Sequence, residues 1–248
     1  MEEKTQTKEA GHWYKPDGSP AYTYLNKKGE EKNTTLREAR KEGWFPSVTA
    51  IIDLQMKWAL VNWKIDQAIL SSLTLTRKEG EQEADYLLRI KEDAKEQAAK
   101  AAERGKLIHA AVQNGFEGKP FDVDGTSNFF ESAKAIIEKE CGKQDWACEQ
   151  PFSSCLGYGG KVDLRSDEFI IDFKTTEKDL ATIKTWDDHA QQLAAYRVDG
   201  KQKCGILYIN VLTTESKLIW IPEEELQQGF ECFKALLAFW KAKNKIKE

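Results

Sequence analysis

Two aspartates and a lysine, on neighbouring segments that alternate like β-strands, are the residues best suited to chemistry in this sequence. In Gly-Gly-Lys-Val-Asp163-Leu-Arg the aspartate stands between two apolar residues, so on a strand it should face away from both. In Ile-Ile-Asp172-Phe-Lys174 the aspartate and the lysine share one face. A tight hairpin between the two segments would set the carboxylates side by side.

Two close carboxylates repel each other unless a cation or a proton lies between them, and hard oxygen ligands suit Mg²⁺ or Mn²⁺. Lys174 would then lie beside the metal, where it can position or help deprotonate a water and offset charge that builds on a phosphate. The same residues also fit an ordinary solvated sheet face with a cross-strand ion pair. An isolated D-x-K pattern favours that second interpretation, so the surrounding residues decide between the two.

The elements around these residues predict an α/β (α+β) fold, in which a central mixed sheet is flanked by helices. Short joins between the first three strands predict antiparallel neighbours. The residues 213–216 predict a hairpin between the last two strands, and Pro222 ends the second of them. The predicted strands are 146–152, 160–165, 169–175, 206–212 and 217–221, and the predicted helices are 127–140, 187–198 and 223–245.

The residues ahead of this sheet predict an α-rich extension that begins with a hairpin around Lys28-Gly29. Thr35 and Glu38 have capping-box spacing, so a short helix should follow and stop near Gly43. Ser47 is a plausible N-cap of a helix that runs to about Leu70. Its apolar positions predict one buried stripe, made of Ile51, Leu54, Trp58, Val61 and Ile65.

The charged stretch 81–116 keeps helical periodicity, but Gly105 interrupts it. Glycine within a helix costs about 1 kcal/mol relative to alanine, so it indicates either a break between two helices or close contact with a neighbour. We divide the chain into 1–92, a hairpin and helical extension that guides substrate, and 93–248, the core that carries the aspartates.

The composition excludes several classes of protein. The 248 residues contain 37 Lys+Arg and 41 Asp+Glu, a net charge of −4, with 40% hydrophobic residues. That is too apolar for a disordered chain, and no 18-residue apolar run exists to span a membrane. The N-terminus lacks the features of a signal peptide, and the five cysteines form no C-x-x-C pair, so we expect a reducing, cytoplasmic setting without a disulfide framework or thiolate metal site.

Further motifs surround the aspartates in order: Gly105-x-x-x-His109 upstream, Glu149 on the preceding strand, and Gln192-x-x-x-Tyr196 on the following helix. With these, residues 100–212 resemble the RecB-type branch of the PD-(D/E)xK nuclease superfamily, including single-domain exonucleases such as the mitochondrial genome maintenance exonuclease and phage relatives. The segment Phe45-Pro-Ser-Val-Thr49 is also similar to one found in those exonucleases.

The resemblance implies a restriction-endonuclease-like core and a role for each matching residue. Asp163 and Asp172 would bind metal, joined by His109, by the carbonyl of Phe173 and, for a second metal or a water, by Glu149. Lys174 would be the catalytic lysine, and Gln192 and Tyr196 would orient it or contact DNA, with Thr175 beside them as a substrate contact. Gln191 competes with Gln192 but lacks the family spacing. His109, Glu149, Gln192 and Tyr196 also fit ordinary structural positions, and His189 fits a cap or surface residue.

The implied activity is a Mg²⁺-dependent DNA exonuclease that leaves 5′-phosphate products, with Mn²⁺ able to substitute and no iron–sulfur cluster. Its partners would be DNA, single-stranded or with free ends, and a recombination or single-strand-binding protein, but no membrane; the setting would be phage or prophage DNA recombination, replication or repair in the host cytoplasm. The alternatives are a structure-specific endonuclease and a nuclease-fold DNA-binding subunit that does not cut. Candidate DNA contacts are Trp44, Trp58, Trp63, Arg104, Lys106 and the C-terminal Lys241, Lys243, Lys245 and Lys247, of which Trp58 is better explained as core and the last four as a solvated tail.

Overall fold

The computed structural model describes residues 12–120, 125–198 and 200–246. Its strands are β1 (Trp13–Tyr14), β2 (Thr23–Leu25), β3 (Glu31–Asn33), β4 (Phe45–Pro46), β5 (Ala147–Ser154), β6 (Tyr158–Arg165), β7 (Phe169–Thr176), β8 (Lys203–Asn210) and β9 (Ser216–Trp220). Its helices are α1 (Leu36–Glu42), α2 (Val48–Ile52), α3 (Trp58–Thr74), α4 (Glu83–Phe116), α5 (Ser127–Cys141), α6 (Asp187–Tyr196) and α7 (Glu223–Lys243).

A five-stranded sheet in the order β5-β6-β7-β8-β9 forms the centre of the molecule. β7 runs antiparallel to β6 but parallel to β8. The parallel pairing is possible because α6 lies between β7 and β8 in the sequence and brings the chain back to the end of the sheet where β7 began. The predicted mixed sheet flanked by helices is therefore confirmed, as are the hairpins β2–β3 and β8–β9.

Helices cover both faces of this sheet. On β7, Ile170 belongs to the buried cluster formed with α2, α6 and α7, whereas Ile171 belongs to the cluster formed with α4 and α5. Successive strand residues point to opposite faces, so neighbouring isoleucines reach different helix layers. Both faces of β7 are thus buried where the strand begins, and its polar residues come after this packed segment.

The predicted single helix from Ser47 to Leu70 was wrong. Ser47 does cap a helix, since its side chain accepts a hydrogen bond from Ala50 N at 3.1 Å, but that helix ends at Ile52 and α3 begins at Trp58. Trp58 is 66% exposed and Ile65 is 51% exposed, so neither lies in the core. The apolar repeat does not form a buried stripe, because α3 packs mainly on α4 and, within the described residues, little else covers it.

Helix α4 spans 34 residues without a break. A Cβ placed on Gly105 would lie 3.1 Å from Thr175 Oγ1, so the glycine marks the close contact with a neighbour and not the break. Residues 83–102 of α4 pack against α3, and we call this pair of helices the front hairpin. The helix runs through residue 93, so the proposed division of the chain stays a prediction. Among the described residues, none of the helices is both long and apolar enough to cross a membrane.

Candidate active site

The site forms where β6 and β7 separate. Their pairing includes Leu164 with Ile171 but does not extend to Asp163. Instead, Asp163 Oδ2 accepts a hydrogen bond from Phe173 N at 2.7 Å, so the carboxylate takes a backbone N–H that the neighbouring strand leaves free. Val162 and Leu164 lie in different buried clusters, so the expectation that Asp163 faces away from both was wrong. The alternation fails because the strand leaves its partner at this point.

Asp172, Lys174, Gln192 and Tyr196 form one connected network. Lys174 Nζ lies 2.5 Å from Asp172 Oδ2 and donates to Gln192 Oε1 at 3.2 Å. Gln192 Nε2 donates to Asp172 Oδ1 at 2.8 Å and to Tyr196 OH at 2.9 Å. Asp172 is only 2% exposed. Because each side chain of the network contacts at least one other, protein groups hold the carboxylate and the ammonium in place.

The charged groups of this network shift one another's pKa values. Burial and the neighbouring charge of Asp172 raise the pKa of Asp163 well above its usual range, although the Phe173 N–H and Lys174 oppose them. Burial lowers the pKa of Lys174, but the Asp172 and Asp163 carboxylates outweigh it and the net pKa is raised. Lys174 is therefore a cation at neutral pH. That favours positioning a water and balancing phosphate charge over removing a proton.

His109 reaches the site from α4. Its Nδ1 lies 3.9 Å from Asp163 Oδ2, and its ring meets the edge of Phe173 at a centroid separation of 5.9 Å. Burial lowers the pKa of His109 more than the Asp172 charge raises it. A neutral imidazole is the form that binds metals, and the role of His109 as a ligand stays a prediction.

Glu149 lies beside the site but is paired away from it. Cys148 opposite Leu164 and Gln150 opposite Val162 put Glu149 at the register position of Asp163. Its backbone has φ 50°, and its carboxylate forms an ion pair with Lys161. Its charge still contributes to raising the pKa of Asp163, so the two carboxylates interact electrostatically. Its role as a ligand stays a prediction.

The carboxylates of the site suit a hard divalent cation that keeps waters among its ligands, and they do not form a complete set of protein ligands. Among the described residues, no three His, Cys, Asp or Glu side chains converge on one point as metal ligands. Mg²⁺ is commonly held by only one or two carboxylates together with waters and substrate phosphates. Asp163 gains from a nearby positive charge, whereas Asp172 Oδ2 already has the Lys174 ammonium at 2.5 Å. Asp163 is therefore the carboxylate with the clearer reason to accept the ion.

Helix α6 explains why Gln192, and not Gln191, serves the site. Gln191 faces the segment between α2 and α3, where its Oε1 accepts from Gln55 Nε2 at 2.8 Å. Gln192 and Tyr196 are one turn apart and so lie on the same face, against β7. Asp187 and Asp188 in the first turn stabilise this helix, because negative charge interacts favourably with the positive end of the helix dipole. Gln192, and not Gln191, thus contacts Lys174 and Asp172, and its role there stays a prediction.

The proposed DNA contacts are scattered, and the sequence missed one group of residues. Arg104 pairs with Glu177, Trp44 is partly buried against the core, and Lys106 lines the groove between α3 and α4. Lys247 lies outside the described residues. The loop 177–186 was assigned no function, yet it sets lysines and Trp186 next to Lys174. Basic residues interleaved with an aromatic were the one signal there.

Comparisons with known proteins give only distant similarity. No protein-family model matches the sequence, and no curated protein matches it. Among solved structures, the alkaline exonuclease LHK-Exo from Laribacter hongkongensis is 12% identical with a TM-score of 0.32, over 73% of this chain and 96% of that one; its complex with dAMP is 14% identical with a TM-score of 0.36, over 56% and 80%. A candidate exonuclease from Eubacterium rectale is 17% identical with a TM-score of 0.37, over 58% and 69%. These TM-scores are too low to carry the activity of those proteins to this chain.

Proposed function

We propose that this protein hydrolyses phosphodiester bonds in DNA with the help of Mg²⁺ or Mn²⁺, as an exonuclease that leaves 5′-phosphate ends. One observation carries the proposal: Asp172, which is buried and paired with Lys174, lies beside a second carboxylate, Asp163, that is destabilised as an anion. A solvated sheet face would leave such groups in water. Burying them costs free energy that a structural role does not need.

In this mechanism Asp163 and Asp172 would hold the metal, with His109 on the side of α4. A bound divalent ion supplies Lewis-acid polarisation of the scissile phosphate and a lower pKa for a bound water. The Lys174 ammonium orients the attacking water and balances charge on the phosphate oxygens. Gln192 holds Lys174 and Asp172 together, while Tyr196, whose pKa burial and the two aspartates raise, stays neutral and fixes Gln192.

The direct test is digestion of linear and circular DNA, single-stranded and double-stranded, in Mg²⁺ and in EDTA. We expect linear DNA to be degraded in Mg²⁺ only, and Lys174→Ala to reduce the rate by about 10³-fold or more with the fold unchanged by circular dichroism. Lys234→Ala, a change on the outer side of α7, is the matched control and should cut like the wild type.

The outcomes separate the competing functions. Cleavage of circular DNA would favour a structure-specific endonuclease over an exonuclease. Binding without cleavage in either metal would favour the DNA-binding subunit. Equal cleavage by wild type and Lys174→Ala would overturn the assignment of this site. A role in phage recombination, replication or repair rests on the sequence resemblance and needs a genetic test of its own.

A further inference from the structure

A cavity of about 670 Å³ opens directly beside Lys174. Its lining comes from four parts of the fold: the end of β7, the loop 177–186 with the start of α6, Tyr208 of β8, and the start of α3. Lys178, Lys184 and Trp186 come from the loop, while Leu60 comes from α3. The catalytic network described above uses Lys174 but leaves the rest of this cavity unexplained.

The lining has the chemistry of an anion site with an aromatic platform. Three lysines and several threonines line it, and none of its lining residues is acidic. Trp186 is 51% exposed, although large aromatic side chains are usually covered. Lys178 Nζ lies over the Trp186 ring, 5.7 Å from its centre. A base stacked on this indole would therefore have an ammonium close by for its phosphate.

The wall that carries these residues is anchored, although it is an irregular loop. Asn210 Nδ2 donates to the carbonyl of Lys178 at 3.0 Å, and Tyr208 OH donates to the carbonyl of Lys184 at 3.1 Å. Trp186 N donates to His189 Nδ1 at 3.3 Å. Asn210, Tyr208 and His189 are all buried. A loop held this way loses little conformational entropy when a ligand binds, which favours a binding role.

We propose that this cavity binds one unpaired nucleotide of single-stranded DNA, with the base stacked on Trp186 and the phosphate between Lys178 and Lys184. The volume is in the range of pockets for single small ligands, and a base is free to stack on the indole only when it is unpaired. Stacking on an aromatic ring tolerates any base, so the site would lack sequence preference. The proposal rests on the proposed function, because the bound nucleotide would place its neighbouring phosphate at Lys174.

The test compares Trp186→Ala, Trp186→Phe and Lys178→Ala with the wild type. Binding of a fluorescein-labelled oligo(dT) is measured by anisotropy in EDTA at several salt concentrations, and kcat and KM are measured in Mg²⁺. We expect Trp186→Ala to weaken binding about tenfold and to raise KM with kcat nearly unchanged, and Trp186→Phe to restore most of the binding. Lys178→Ala should reduce the salt slope by about one. Phe239→Ala, an equally exposed aromatic on α7, is the control and should bind like the wild type.

The two proposals fail in different ways. If folded Trp186→Ala binds oligo(dT) as tightly as the wild type does, the nucleotide site is wrong, whether or not the protein cuts DNA. If binding depends on Trp186 but no cleavage occurs in Mg²⁺ or Mn²⁺, the site stands and the proposed nuclease function fails. If blunt duplex competes as well as oligo(dT) does, the preference for an unpaired strand is overturned.

Discussion

The site between β6 and β7 and the front hairpin depart from the usual separation of polar and apolar residues in opposite directions. In the site, Asp172 is 2% exposed and carries charge inside the fold. In the hairpin, Leu73 is 76% exposed and Leu88 is 55% exposed. Neither arrangement favours folding, since one desolvates charges and the other leaves apolar surface in water. Both regions therefore lower the stability of the fold: the site through the desolvation of charges, and the hairpin through apolar surface left in water.

The two regions are also held together differently. The site is fixed by a network in which every polar group touches another, with packed helices on either side. The hairpin has few buried residues, and polar contacts secure its tip: Arg89 forms a bidentate pair with Glu81, at 2.7 and 2.9 Å, and Tyr86 OH donates to Leu75 O at 2.8 Å. Its geometry therefore depends on the turn more than on a core.

Among the changes that test this comparison, the largest expected effect is at Gln192. Gln192→Leu removes one hydrogen-bond partner each from Lys174, Asp172 and Tyr196, and we expect kcat/KM for DNA cleavage to fall about 100-fold. Gln191→Leu, the matched control on the next position, loses only the bond to Gln55 and should keep activity within about twofold. Steady-state kinetics on both variants checks this. Equal losses would mean that the packing of α6, and not the network, sets the activity.

A smaller, opposite effect is expected at Asp163. Asp163→Asn keeps an acceptor for Phe173 N–H but removes a charge that Asp172 repels, so the metal-free protein should gain about 1 kcal/mol of unfolding free energy. Mg²⁺ should stabilise the wild type and not the variant. Urea denaturation with and without Mg²⁺ measures both. Asp167→Asn, in the exposed turn after β6, should leave stability unchanged; a less stable Asp163→Asn would show that the buried charge supports the fold.

The smallest expected effect is local, at the tip of the hairpin. The hydrogen bond from Arg89, with the N–H of Lys78, lowers the pKa of Glu81 from 4.5 to about 2. A lowered carboxyl pKa stabilises the folded state above pH 4.5, and this contribution is lost as pH falls through 2. Glu81→Gln should therefore speed amide hydrogen exchange in residues 75–82 at pH 7, with the difference shrinking below pH 4.5.

The exposed leucines provide the control for this measurement. Leu73→Ser should leave hydrogen exchange of the turn unchanged, because that side chain is largely in water. If Leu73→Ser loosens the turn as much as Glu81→Gln does, apolar contacts hold the hairpin after all. The contrast between the two regions would then be one of degree.

Local patterns made much of the site predictable. Asp172 and Lys174 share a strand face, and Gln192 and Tyr196 share a helix face, so spacing alone brings each pair together. The position of Asp163 was harder to predict, because it depends on where β6 leaves β7. Likewise, no spacing tells that Glu149 pairs with Lys161. These features arise from the meeting of distant segments.

The front of the chain shows where periodicity stops being informative. The repeat through Trp58 and Ile65 predicted a buried stripe, but both side chains are exposed, because a repeat does not reveal how many elements pack against it. Trp186 was missed for a related reason. It lies in a loop without a pattern, and the loop is positioned by Tyr208 and Asn210 from another strand.

The unbroken course of α4 has a mechanical consequence. From Glu83 to Gly105 the helix extends about 33 Å, and from Gly105 to His109 about 6 Å. Gly105 lies against Thr175, so this contact separates a long outer part of the helix from the short part that leads to His109. Ile108 and Val112 bury that short part in the cluster under the sheet, so the front hairpin is joined to the site through one continuous, anchored helix.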